Sequence, residues 1–336
     1  MEKIRKKNGY ANWDTVAPGI WRMKDIFVNI YMVHNPHDNT WVLVDTGLKS
    51  SAPKIKRMAE HLFWPDLVPA GIVLTHGHFD HVGSLVKLAE EWDVPVYAHF
   101  MEKPYLTGQS SYPPPDPAVG GGMMASMAWL YPKGPVNIGR HLSILPQDGT
   151  IPCLPEWKYI HTPGHAPGHI SLFRERDRVL IAGDAFVTTK QESLLSVMSQ
   201  SKILSGPPKY FTYNWTSAEE SVKRLARLNP EVVATGHGCP MRGEEMRNAL
   251  HNLADNFEEQ AVPTRGRYID DPAYVTANGV EALPPPVAPV RLLLTIAGVA
   301  AAVALTLWAM KQRKKNQEWS LSGLLNRQQL DKSLGQ

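Results

Sequence analysis

A buried strand that runs straight into a cluster of histidines is the feature that most restricts this chain. Val73-Leu74-Thr75 ends in His76-Gly77-His78-Phe79-Asp80-His81, and the pattern recurs. Tyr159-Ile160 leads into His161-Thr162-Pro163-Gly164-His165, Leu180-Ile181-Ala182 into Gly183-Asp184, and Val232-Val233-Ala234 into Thr235-Gly236-His237-Gly238. Core packing does not call for a ligand-type side chain at the end of each apolar strand. A sheet that delivers such groups to one edge builds a preorganised cluster on rigid supports.

Imidazole and carboxylate groups suit zinc, iron or manganese. Five histidines (His76, His78, His81, His165, His237) and two aspartates (Asp80, Asp184) are too many ligands for one tetrahedral ion and suit two. The His-x-His-x-Asp-His spacing on a loop lets neighbouring side chains diverge toward two ions.

Periodicity places these loops. Ile26–His34 and Thr40–Val44 read as strands around the turn Asn35–Asn39, the second ending at Asp45-Thr46-Gly47. Lys54–Phe63 and Leu85–Trp92 read as helices, and Gly71–Leu74 and Val94–Ala98 as strands. Further strands are expected at Trp157–His161, Ser171–Phe173, Arg178–Ala182 and Glu231–Ala234. A helix is expected over Ser217–Leu228, started by a Ser217/Glu220 capping box, and another over Glu244–Gln260. Met101–Gly139, with its proline and glycine triplets and several methionines and aromatics, fits neither period. It reads as a lid or binding loop, or as a structural excursion packed on the core. The run Lys209–Trp215 is either a cleft lining or an aromatic core cluster.

Composition narrows the class. Apolar residues at 43% and charged residues at 20% are ordinary for a globular protein, and a net charge of +3 gives no reason to expect nucleic acid. Two distant cysteines, Cys153 and Cys239, exclude a disulfide framework. The basic start is followed by a polar stretch, so no secretory signal is read.

The carboxyl-terminal part differs from the body. Residues 261–290, with Pro284-Pro285-Pro286, read as a proline-rich linker. Leu292–Met310 is uncharged and predominantly apolar, and as a helix it would span roughly 28 Å, near the ~30 Å of a bilayer core. Trp308 and four basic residues follow the pattern of an interfacial anchor. The expected plan is a catalytic domain at 15–260, a linker at 261–290, a transmembrane helix at 291–310 and a basic polar tail at 311–336. Localisation is expected at a membrane through this single carboxyl-terminal anchor, with the catalytic domain cytoplasmic. The basic tail, read by the positive-inside tendency, pulls the other way.

Asp45-Thr46-Gly47, the His76–His81 run, Thr162-Pro163-Gly164-His165, Gly183-Asp184 and Gly236-His237-Gly238 occur in the order of the five motifs of the metallo-β-lactamase superfamily, which the chain resembles over about residues 15–260. The resemblance implies an α/β fold, the αββα sandwich. It implies that His76, His78 and His165 hold one metal, that Asp80, His81 and His237 hold a second, and that Asp184 bridges them. Asp45 then resembles the carboxylate that orients a ligand histidine. His161 and His169 read as packed groups or partners of ligands, and Cys239 as a packing residue.

The activity so implied is that of a hydrolase with two divalent ions, zinc first with iron or manganese open. A hydroxide shared by the ions attacks an ester-type bond in a small molecule, a thioester, lactone or relative, with Asp80 and Asp184 as proton acceptors. The Thr-Pro-Gly-His-Ala-Pro-Gly-His run is most similar to the glyoxalase II and lactonase branches. Two alternatives stay open. One is an iron dioxygenase of the persulfide dioxygenase type, using His76, His165 and Asp184 alone. The other is a membrane-tethered scaffold without activity.

Overall fold

The computed structural model describes residues 13–63, 67–199 and 201–287. All of them belong to one compact unit, Met1–Val287; the other unit, Ala288–Gln336, lies outside the described residues.

Two sheets form its centre. In the first, β1 (Trp13–Ala17), β2 (Ile20–Asp25), β3 (Val28–Asn35), β4 (Thr40–Val44), β5 (Gly71–Val73), β6 (Val96–Ala98) and β7 (Leu142–Ile144) lie side by side in chain order. The first four pair antiparallel and the last four parallel, so β4–β5 and β5–β6 need crossovers. Helices α1 (Ala52–Leu62) and α2 (Leu85–Trp92) supply them. The stretch to β7 holds only short helical turns, among them α3 (Lys103–Leu106) and α4 (Met123–Ser126). In the second sheet β8 (Trp157–His161), β9 (Ile170–Arg174), β10 (Val179–Gly183), β11 (Val232–Thr235) and β12 (Met241–Arg242) stand in reverse order. Only β10 and β11 are parallel there; α5 (Leu194–Ser199) and α6 (Trp215–Arg227) lie between them. Helices α7 (Gly243–Asp255) and α8 (Phe257–Ala261) follow.

Strand alternation decides the layers. Tyr31, Val33, Val42, Val44 and Val73 of the first sheet face Trp157, Leu172, Val179 and Ile181 of the second. The intervening Ile30, Met32, Leu43 and Ile72 pack under α1 and α2. Leu180, Ala182 and Val233 pack under α6 and α7. Every central strand is therefore apolar on both faces, which is why the sequence shows continuous runs there rather than alternation. The α/β sandwich with mixed sheets agrees with the expected fold.

Three boundaries differ from the sequence reading. Helix α6 starts at Trp215, not at the Ser217/Glu220 box, because extended Asn214 caps it and its Oδ1 accepts from Ser217 N at 2.9 Å. The expected helix 244–260 breaks at Asn256 into α7 and α8. Residues 261–287, expected as part of an extended linker, instead form a strap. Tyr268 is buried and donates to Pro114 O at 2.7 Å, and β13 (Tyr274–Thr276) and β14 (Gly279–Ala282) form a hairpin whose Val280 N donates to Ser110 Oγ. Apolar residues between the prolines, not the prolines, decide the outcome.

The expected membrane localisation is corrected. Among the described residues no helix is long and apolar enough to cross a membrane. The segment 291–310 that carried that expectation, and the tail 311–336, lie outside the described residues.

Candidate metal centre

The strand ends converge where the two sheets meet. His76, His78, Asp80 and His81 follow β5; His165 follows β8; Asp184 follows β10 and His237 follows β11. All seven are buried, and their ligand atoms fall into three overlapping groups: His76, His78 and His165; His76, His81 and Asp184; Asp80, His81 and His237. Within each group the atoms lie within 4.8 Å of one another. Asp184 Oδ2 lies at the middle, 3.0 Å from His237 Nε2, 3.4 Å from His165 Nε2 and 3.7 Å from His81 Nε2.

Hydrogen bonds outside the cluster fix which nitrogen faces in. Asp45, held at φ +61 after β4, accepts from Thr75 N at 2.8 Å and from Thr75 Oγ1 at 2.7 Å. Its Oδ2 also lies 2.8 Å from His81 Nδ1, which donates to it. Thr75 Oγ1, having given its proton to Asp45, is the acceptor for His76 Nδ1 at 3.1 Å. One carboxylate thus orients two rings and turns His76 Nε2 and His81 Nε2 inward. Both are buried with no hydrogen-bond partner. His237 Nδ1 donates to Phe27 O at 2.8 Å, which turns its Nε2 inward in the same way.

Buried polar atoms without partners are costly. Here they converge beside carboxylates, and a divalent cation fits that donor set. Gly236 leaves the space: a Cβ there would stand 2.0 Å from Asp184 Oδ1 and 2.9 Å from His81 Cε1.

The electrostatics divide the rings. Burial, reinforced by neighbouring imidazoles, pushes His76 and His165 well below the ordinary imidazole value, and lowers His78 to about 3. For His81 burial pulls the same way, but Asp45, Asp184 and Asp80 outweigh it and raise its pKa well above the ordinary value. Burial raises Asp80, whereas His237 and His81 overcome burial at Asp184 and hold it well below the carboxylate range.

Two supports were not legible beforehand. Glu102, fully buried, accepts from Gly77 N at 2.9 Å and from Gly168 N at 2.7 Å, and Tyr112 donates to the same carboxylate. It therefore joins the loop of His76–His81 to the loop of His165. No local sequence signal marks it; it lies in the irregular stretch. The second support is Asn29 of β3, whose Nδ2 donates to Thr235 O at 2.8 Å and Gly238 O at 2.7 Å across the turn that carries His237.

Other expected residues are placed apart from the ligand groups. His169 accepts from Asp184 N through Nε2 and donates through Nδ1 to Thr162 Oγ1, both at 2.8 Å, so it braces Asp184. His161 stacks on His99, with ring centroids 4.0 Å apart. Cys239 stands beside Asp14, Arg22 and Met241 in a separate cleft. Of the aromatic run, Tyr210, Tyr213 and Trp215 are core, while Phe211 stacks on His78 at 4.6 Å.

The profile of the Metallo-beta-lactamase superfamily matches residues 23–237. The chain belongs to that superfamily. Among its relatives within it, the probable metallo-hydrolase YflN of Bacillus subtilis (strain 168) is 44% identical over 258 residues, covering 76% of this chain and 96% of that protein. The hydroxyacylglutathione hydrolase GloC of Haemophilus influenzae is 28% identical over 142 residues, covering 42% of this chain and 59% of that one. A solved B3 metallo-beta-lactamase described as having an active-site glutamic acid superposes with a TM-score of 0.50 at 15% identity. It covers 73% of this chain and 88% of its own, and the likeness is one of fold.

Proposed function

We propose that the chain is a hydrolase of ester-type bonds with two divalent ions, zinc first among the candidates. The observation that carries the reading is the pair of bare, buried Nε2 atoms of His76 and His81, set among five further ligand groups. His76, His78 and His165 would hold one ion, Asp80, His81 and His237 the other, and Asp184 would bridge them. When bound, the ions supply Lewis acidity to the substrate oxygen and lower the pKa of water. The superfamily membership and relatives named as metallo-hydrolases support the reaction class. A relative named as a hydroxyacylglutathione hydrolase supports the ester-type bond.

The chain's own groups do the rest. Asp45 holds the rings of His76 and His81, and His169 holds the backbone of Asp184. Cleavage breaks the acyl C–O or C–S bond and joins a water oxygen to the acyl carbon. Of the two water protons, one leaves with the alcohol or thiol, and the other passes through Asp80 or Asp184 before release. The rings of Phe79 and Phe211, 6.2 Å apart, give the cluster an apolar side.

The convergence of Asp80, His81 and His237 favours two ions over a lone iron on His76, His165 and Asp184. Metal analysis of the purified protein, paired with turnover of a thioester and lactone panel, tests the reading. Two ions per chain and ester cleavage are expected. One iron with oxygen consumption, or a fully metallated protein inert to the panel, would overturn it.

A further inference from the structure

We propose that the substrate carries an uncharged, apolar acyl chain, received by a lip of exposed methionine and leucine side chains that continues the aromatic wall of the metal cluster. This rests on the hydrolase reading and adds the chemistry of the part of the substrate that does not react.

The wall is an arc of rings from one ligand group to the other. Phe211 stacks on His78, Tyr131 stacks on Phe79 at 5.6 Å, and Phe27 lies 6.5 Å from Phe79 and 6.2 Å from His237. The segment that supplies Tyr131 also supplies the lip. Met124, Ala125, Ala128 and Tyr131 turn inward, while Met123, Met127 and Leu130, at i, i+4 and i+7, make a stripe on the solvent side. Leu195 and Met198 of α5 are exposed too, and exposures in this set run from 42% at Met127 to 79% at Leu195. The two segments are joined, since Met124 N donates to Glu192 O at 3.2 Å. A helical segment apolar on both faces is not a solvated surface element, and clustered exposed apolar side chains mark a binding surface. Methionine adapts to the shape of flexible chains.

A third edge is strained. Ile26, 64% exposed, holds φ +57 in the two-residue turn between β2 and β3. A β-branched residue is an outlier there, and such strain clusters at ligand sites. Its neighbour Phe27 is the residue whose carbonyl holds His237.

The polarity of the wall argues for an apolar ligand. The Tyr131 hydroxyl donates to Met124 O at 3.0 Å, so the phenol of the wall is already paired within its own segment. Among the described residues the cation–ring contacts, Arg174 over Trp157 and Arg267 over Tyr268, involve rings outside this wall.

The test uses the metal-loaded full chain with 4-nitrophenyl butanoate, hexanoate and octanoate. Each fully buried methylene is worth roughly a factor of four, so kcat/KM should rise about tenfold or more from butanoate to octanoate at partial burial, mainly through KM. Met127→Glu should shrink that ratio to about twofold, with an unchanged Tm, and Met127→Leu should keep it. A flat chain-length profile, or one indifferent to Met127→Glu, overturns the proposal while leaving the hydrolase reading intact. Should no ester be cleaved, calorimetric titration with octanamide and butanamide decides. Tighter octanamide binding that Met127→Glu abolishes supports the lip without the hydrolase reading; no difference between the amides overturns it.

Discussion

Asp45 and Glu102 share a role, in that neither belongs to the seven candidate ligands and both decide where those side chains stand. Asp45 was legible because it ends a strand inside a motif. Glu102 was not, because its partners Gly77 and Gly168 are brought to it only by the tertiary fold. Asp45→Asn removes the acceptor of His81 Nδ1, and a loss of about 10–100-fold in metal affinity is expected, measured by competition with a chelator. Burial raises Glu102 to about 7 from the ordinary 4.5. The folded state therefore binds this proton more tightly than the unfolded chain does. Its stabilising contribution is full below about pH 4.5 and is lost as pH rises through about 7, by on the order of 3 kcal/mol. The Tm difference between wild type and Glu102→Gln should accordingly fall between pH 5 and pH 8. A difference that grows over that range would contradict the assignment.

Elements explain why the strands were readable and the helix starts were not. A central strand buried on both faces leaves an uninterrupted apolar run, as at Gly71–Val73 and Val179–Gly183. A helix start depends on which of several polar residues finds the orphan N–H groups, and Asn214 won over Ser217 because the preceding chain is anchored: Tyr213 N and Asn214 N both donate to Gly164 O at 3.1 Å. That anchor also presses α6 onto the turn that carries His165. A Cβ at Gly164, where φ is +130, would meet Ala218 N at 2.4 Å. Gly164→Ala should cost about 2 kcal/mol or more in denaturant unfolding, through overpacking and backbone strain. Asn214→Ala should cost about 1 kcal/mol, because only the cap is lost. Equal costs would mean that the helix–turn contact is slack.

At the scale of the molecule, the strap 261–287 is where composition misled. Prolines suggested a spacer, yet Arg267 N donates to Asp116 Oδ2 at 2.5 Å and Tyr268 is buried against the irregular segment. Tyr268→Ala should lower stability by about 3 kcal/mol, read as a drop in Tm. Bound ions would stabilise the folded state by mass action, about 2.7 kcal/mol at a hundredfold excess over Kd. Chelation should therefore lower Tm, and restoring the metal should recover it. The ligands also have a chronology. His76–His81 leave the ribosome long before His165, Asp184 and His237, and the first and last belong to different sheets. A nascent chain can present half of the donors but cannot close the cage until β11 docks. Metal capture would therefore be complete only after β11 docks, and a polypeptide stalled before β11 would be left with at most a weak, open site.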